Sequence, residues 1–333
     1  MPTGAAGSEP DERDRAQVRL AVLVGDHEPD LSGVTDVEVR IARQDALPEA
    51  LSDADALLVW DFSAKGVAEA LPTAQRLRWI HVSSAGVDRV LDDEVRRRDF
   101  VVTNVSGVLD ETMAEYVLGL VLALVKDLRG TLERQFRADW EHRPTGRLAG
   151  RRALVVGVGA IGRATADLLR GVGVQVDGVG RTARDGDGPF GTVYGQSDLP
   201  DVVGAYDIVV LAAPLTAQTR RMFDASTIAA MRSSAYLINA GRGELVDEPA
   251  LTDALRSCAI AGAALDVFAT EPLPRDNPLW MLPNVIVSPH MAGDYVGWRD
   301  DLLEVFLENL DRYRTGRPLL NKVDKELGYI PSH

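Results

Sequence analysis

Residues 153–181 read ALVVGVGAIGRATADLLRGVGVQVDGVGR, and the fold follows from how this stretch is parsed. Ala153 to Val156 is a short apolar, β-branched run that predicts a strand. Gly157, Gly159 and Gly162 follow at the G-x-G-x-x-G spacing, ATADLL continues as an amphipathic helix, and VQVDGVG (174–180) predicts a second strand. The three glycines have separate tasks: the first permits a sharp turn, the second lets backbone approach a pyrophosphate, and the third lets the helix pack close on the strand. Backbone N–H groups at Ala160, Ile161 and Gly162 would then face the anion from a helix N-terminus. A glycine turn that binds nothing is the alternative, and the flanking strand, helix and strand argue against it.

Outward from this unit, 333 residues suggest two domains on a prior of about 150 residues each. A hydrophobic share of 46% and a charged share of 26% are those of an ordinary globular protein. Lys and Arg number 36 against 50 Asp and Glu, a net charge of −14 that disfavours nucleic acid and anionic membrane as partners. Any acidic ligand must therefore be held by individually placed arginines or backbone N–H groups. Cys258 is the only cysteine, and the histidines at 27, 81, 142, 290 and 333 lack the close pairing of a zinc motif, so no metal is expected. Residues 1–17 read as a polar, disordered extension without the apolar core of a signal peptide. No apolar run reaches the ~18 residues of a membrane span, and the cytoplasm is the expected location.

Along the chain, VRLAVLV (18–24), VEVRIA (37–42), DALLVWDF (55–62), RWIHVSS (78–84) and 100–104 predict a first set of strands in a βαβ rhythm. A long helix is expected over 110–128, its apolar run YVLGLVLALV marking a hinge between domains. Residues 129–149, polar with embedded aromatics such as Trp140, read as a surface arm or dimer contact. The second half carries strands at 153–156, 174–180, 206–214, 235–241, 261–268 and 284–290, six in all, the doubly wound count. A helix beginning at Trp298 follows and is expected to return to the first domain, with residues 317–333 trailing off. The fold class is thus α/β: two Rossmann-like or flavodoxin-like parallel-sheet domains, the first discontinuous. The expected substrate-binding domain comprises 18–115 and 293–333, and the dinucleotide-binding domain 116–292.

Arg242 after LINAG, Glu271 after DVFAT and His290 after VIVSP each stand just beyond a predicted strand, where ligands gather in parallel sheets. Singly, each reads more readily as a loop residue. Together their surroundings resemble the D-isomer-specific 2-hydroxyacid dehydrogenases over nearly the whole chain. INAGRGELVDEPAL is similar to the family segment with the catalytic arginine, ALDVFATEPLP to that with its glutamate and VIVSPHMAG to that with its histidine. GVGAIG resembles the phosphate loop, AAPLT the loop after the next strand, SSAGVDRVL the substrate-carboxylate loop and MAEYVLGLVLALV the interdomain helix. The resemblance implies Arg242, Glu271 and His290 as catalytic residues. It implies cofactor contacts at Gly157, Gly159, Ala160, Ile161, Gly162, Ala213, Pro214, Ala240, Asp266 and Gly293. Substrate would meet Ser84, Ala85 and Gly86, with Trp60 as a wall, and the protein is expected to be a homodimer through the 129–149 arm.

Chemically, reducing a 2-oxo acid places a hydride on the ketone carbon while its oxygen gains negative charge and a proton. An arginine forks onto carboxylate and carbonyl, a histidine gives the proton, and a glutamate orients the imidazolium. The chain departs from the NAD-using pattern at one place. Where an acidic residue would accept from the ribose 2′-OH, it carries Arg181, Thr182 and Arg184. That group suits a 2′-phosphate, so NADP is favoured over NAD. Ser84 and Ala85 also stand where many relatives carry a glycine before the Gly86 equivalent. A small substrate of glyoxylate or hydroxypyruvate type is expected, and a dinucleotide-sensing corepressor that binds without turnover is the alternative.

Overall fold

The computed structural model describes residues 17–61, 63 and 66–331. All of the expected N-terminal extension except Gln17 lies outside these residues. Two sheets form. The first contains β1 (Val18–Leu23), β2 (Val37–Ala42), β3 (Ala56–Val59), β4 (Trp79–Val82) and β5 (Val101–Thr103), all parallel in the order β2-β1-β3-β4-β5. β3 and β4 are buried along their whole lengths, as expected of strands covered on both faces.

The second sheet is built on β6 (Arg152–Val156), β7 (Gln175–Gly180), β10 (Ile208–Leu211), β11 (Tyr236–Asn239), β12 (Gly262–Leu265) and β13 (Val285–Val287). These are the six expected strands, but the sheet has eight: β8 (Arg184–Asp187) and β9 (Phe190–Gly195) form a hairpin at one edge. The order is β13-β12-β11-β10-β6-β7-β9-β8, with β9 parallel to β7 and β8 antiparallel to β9. The glycines and charges of RDGDGPFG hide this hairpin in the sequence. Phe190 and Val193 are nevertheless buried in the core of the second unit.

The long helix runs over Asp110–Val125 and stops short of its expected end. Asp127 is left-handed, at φ 47°, and its carboxylate caps a second helix, Leu128–Phe136, by accepting from Gly130 N at 3.1 Å. The expected surface arm therefore begins as a helix. Val117, Leu120, Val121 and Val125 pack with Ala153, Val155, Ala166 and Leu169 of the second sheet's layer. Within the described residues no helix is long and apolar enough to cross a membrane.

The C-terminal helix, Trp298–Thr315, returns to the first sheet, which makes the first unit discontinuous. Leu302, Phe306 and Leu310 pack on Leu20, Leu58 and Trp79. Trp79 stacks between Phe306 and Tyr313, at centroid distances of 5.6 and 5.3 Å. Burial of each of these large side chains contributes about 1.5–3 kcal/mol. The segment after the helix does not trail off. Leu320 N donates to Asn309 Oδ1 at 2.7 Å, Val323 N donates to Val102 O at 2.9 Å and the Val323 side chain joins the first core.

Candidate active site

β6 ends in the glycine turn, and each glycine has its own reason. Gly157 lies at φ +106°, and a Cβ there would fall 2.6 Å from the backbone of Ala212 and Ala213 beyond β10. A Cβ on Gly162 would fall 1.8 Å from the Gly157 carbonyl oxygen. Over Gly159 a Cβ would meet nothing within 4 Å, so the helix Ala160–Gly171 opens onto free space at its N-terminus. This pattern, two closed positions flanking one open one, fits a pyrophosphate against the N–H groups of Ala160, Ile161 and Gly162.

At the end of β7, Arg181 and Thr182 are exposed and Arg184 begins β8. Arg184 is not alone. Its Nε donates to Asp187 Oδ2 at 2.8 Å, and Arg163, from the helix after the glycine turn, donates to the same oxygen at 2.7 Å. These two hydrogen bonds, that from Arg163 first, hold the Asp187 carboxyl down at about 2. The β8–β9 hairpin is thereby tied to the first turn of the helix.

The second cluster brings loops from both sheets together. Arg242, after β11, is fixed through its backbone, its carbonyl accepting from Asn239 Nδ2 at 2.9 Å. Its Nη1 donates to Gly241 O at 2.8 Å and its Nε to Asp88 Oδ1 at 2.9 Å, in the loop after β4. Any Cβ on Gly86 would lie 1.9 Å from Arg242 Nη2, so only glycine lets the guanidinium come this close to the substrate loop. Beside it, Glu271 Oε2 accepts from His290 Nδ1 and from Arg89 Nη2, each at 2.9 Å, while Oε1 accepts from Phe268 N at 3.1 Å. Burial pushes this carboxyl up. The hydrogen bond and charge of His290, the Phe268 N–H and the Arg89 charge outweigh it and hold the group at about 2. The three residues singled out from sequence thus share one corner.

Asp266 is buried beneath that corner, with Oδ1 accepting from Ser288 Oγ at 2.6 Å and Met291 N at 3.0 Å, and Oδ2 from Ala292 N at 2.9 Å. The structure therefore uses it to anchor the histidine loop, in which His290 itself is left-handed at φ 53°. Asp294, further along, has its carboxyl pushed up by burial against the opposing charge of Arg299. Ala213 and Ala240 are buried at the ends of β10 and β11, and the Pro214 carbonyl accepts from Thr219 Oγ1 at 2.7 Å. Gly293 faces Leu109 and Met113 at the start of the Asp110–Val125 helix. In the substrate loop Ser84 Oγ donates to Gly86 O at 2.6 Å, and Ala85 O accepts from Asn104 Nδ2 at 2.6 Å. Trp60 is buried and, with Trp298, Arg299 and Leu302, lines a cavity of about 50 Å³ at the carboxyl ends of β1 and β3. Asp88 and Arg89 were not singled out from sequence, although they lie inside the SSAGVDRVL segment. Their signal is only that two opposite charges stand side by side in that loop.

A glycine-turn nucleotide site in one parallel-sheet unit, with an Arg, Glu and His corner closed by loops of a second, defines a dinucleotide-dependent oxidoreductase of two α/β domains. Comparison with known proteins places it further. Residues 118–292 match the family described as D-isomer specific 2-hydroxyacid dehydrogenase, NAD binding domain, and the chain belongs to that family. It is 34% identical over 271 residues to a glyoxylate reductase of Korarchaeum cryptofilum, covering 78% of this chain and 80% of that one. It is 31% identical over 300 residues to a glyoxylate reductase of Thermococcus kodakarensis, covering 87% and 89%. Among solved structures, an NADPH-dependent glyoxylate/hydroxypyruvate reductase from Sinorhizobium meliloti, in complex with NADP and sulfate, superposes with TM-score 0.81 at 28% identity, covering 94% of this chain and 100% of that one. A family member from Xanthobacter autotrophicus, in complex with NADPH and MES, gives TM-score 0.78 at 32% identity, covering 93% and 100%. The protein is an NAD(P)-dependent D-2-hydroxyacid dehydrogenase.

Proposed function

We propose that the protein reduces a small 2-oxo acid of glyoxylate or hydroxypyruvate type to the D-2-hydroxy acid, with NADPH as the preferred reductant. The observation that carries this reading is the corner in which Arg242, Glu271 and His290 meet the Gly86–Arg89 loop. In this reading residues 18–115 and 293–333 hold the substrate and 116–292 the dinucleotide. When bound, the nicotinamide supplies the hydride. Arg242, with Nε kept on Asp88, turns its Nη groups to the substrate carboxylate and carbonyl oxygen, fixing the reacting face and stabilising the developing negative charge. Glu271 holds Nδ1 of His290, so Nε2 is the atom that gives the proton to the carbonyl oxygen. Backbone of Ser84, Ala85 and Gly86 would complete the carboxylate site. Asp266 keeps the histidine loop in place while serving the cofactor side, with Ala213, Pro214, Ala240 and Gly293 lining that side.

The NADPH preference rests on Arg181, Thr182 and Arg184 at the place where NAD users carry an acid. The neighbours bound to NADP and NADPH support it by analogy. The small substrate is supported by likeness to the glyoxylate and hydroxypyruvate reductases.

Loss of NADPH or NADH absorbance on adding glyoxylate, hydroxypyruvate, pyruvate and a bulkier 2-oxo acid tests the proposal. Turnover is expected with the first two, at higher kcat/KM with NADPH. Arg242→Ala should lose about 10²–10³-fold in kcat/KM for every acid while keeping dinucleotide affinity. Tight cofactor binding with no turnover of any acid would instead identify a dinucleotide sensor. Preference for NADH would overturn the cofactor assignment.

The proposed partner is a second copy of the chain. Leu128, Leu132, Phe136 and Trp140 leave an exposed apolar row along the Leu128–Phe136 helix and just past it, with Phe136 85% and Trp140 99% exposed. Phe136→Asp should halve the sedimenting mass, and a parent that already sediments as a monomer would contradict the dimer.

A further inference from the structure

The loop after β4 places two consecutive charged residues against the other unit, and each engages a different member of the proposed catalytic group. Asp88 takes Arg242 Nε at 2.9 Å, and Arg89 Nη2 reaches Glu271 Oε2 at 2.9 Å. The second contact has a chemical consequence that the first lacks. His290 Nδ1 lies 2.9 Å from the same oxygen, so one carboxylate oxygen is divided between a guanidinium, a permanent cation, and the imidazole proposed to give up the proton. The side chains of Arg89, Glu271 and His290 retain only 28%, 19% and 28% of their exposure, so water screens this arrangement incompletely.

We propose that Arg89 is a positioning residue which, by sharing the Glu271 carboxylate with His290 from across the cleft, makes the histidine a stronger proton donor whenever the loop after β4 is seated on the corner. An anion beside an imidazolium stabilises it, and a fixed cation on that anion reverses part of the effect. With Arg89 in place the proton on His290 is held less tightly and passes more readily to the carbonyl oxygen as the hydride arrives. The reaction balances as carbonyl plus hydride plus one proton, and the imidazole is left neutral. With the loop withdrawn, Glu271 belongs to His290 alone and the ring recovers a proton from solvent. The residue that marks substrate-loop closure thereby also sets the acid for transfer.

Other charged groups near the ring among the described residues are paired elsewhere. Asp294 and Asp266 lie on or under its own loop, Asp266 with both oxygens committed to Ser288, Met291 and Ala292. Arg299 opposes Asp294, and Arg242 and Asp88 are paired with each other. Among the described residues Arg89 is the cation ion-paired with Glu271 from the first unit, so changing it alters this balance selectively.

The inference rests on His290 as the proton donor, and the experiment separates the two claims. The pH dependence of kcat/KM for glyoxylate reduction with NADPH is measured for the parent, Arg89→Met, Arg89→Lys and His290→Asn. Arg89→Met should move the alkaline limb, where reduction is lost, up by about one pH unit, and Arg89→Lys should return it most of the way. A uniform fall in rate with the limb unmoved would mean that Arg89 only holds the loop, and would overturn the inference. If Arg89→Met does not fold, Arg89→Gln, which also removes the cation, must show the limb raised by a similar amount, and a limb coincident with the parent's overturns the proposal. His290→Asn retaining parental turnover would instead remove the donor assignment itself.

Discussion

Glu271 and Asp187 make an instructive pair. Each is a carboxylate gripped by two basic side chains, and each is held at about 2. At the far end of β7, Asp187 lies between Arg163 and Arg184, neither of which titrates in any working range. At the cleft, Glu271 lies between Arg89 and His290, and the histidine is the member proposed to give up a proton. The β7 corner is therefore a fixed electrostatic fixture, the one to which the proposed function assigns the choice of dinucleotide. The cleft corner has the same architecture but a charge that changes with pH, which is what proton transfer requires. In the proposed function a shared motif serves selection in one place and chemistry in the other because of a single substitution of partner.

The comparison breaks first at the fixed corner. Arg184→Ala should reduce kcat/KM with NADPH by about 10–100-fold, the value of a charge-assisted contact to phosphate, and leave the NADH value nearly unchanged. Parallel losses with both cofactors would show that Arg184 serves only to tie down the hairpin through Asp187. Because no group of that corner titrates near neutrality, the ratio of NADPH to NADH activity should also stay flat with pH on the protein side.

The two corners were unequally legible in the sequence. The glycine turn and the β7 terminus lie within one contiguous stretch, so spacing alone located them, and Arg181, Thr182 and Arg184 stood out as the missing acid. Asp187 escaped notice because its strand is written in glycines and aspartates that read as a turn. It acts only when β8 folds back on β9. Arg242, Glu271 and His290 could be recognised because each sits in a segment with its own family likeness. Asp88 and Arg89 could not, since their partners are 154 and 182 residues away and exist only once the two sheets face each other. The break at Asp127 was hidden for a different reason: Lys126 and Asp127 read as ordinary polar positions of a continuing helix, and a left-handed capping aspartate leaves no mark in hydropathy. Long-range pairing and local backbone reversal are the features that pattern reading does not reach.

The smaller effect bears on the titrating corner. Glu271→Gln removes the anion that stabilises the protonated ring, and Arg89 and the imidazolium then repel each other directly. The charged form of His290 becomes easier to deprotonate, so reduction, which needs that form, should be lost at lower pH than in the parent. The pH profile of kcat/KM for glyoxylate reduction by the parent and by Glu271→Gln is the most direct measurement of this account. A limb displaced to lower pH by about one unit is the predicted result. Superimposable profiles would show that Glu271 does not govern the proton at His290, and would contradict it.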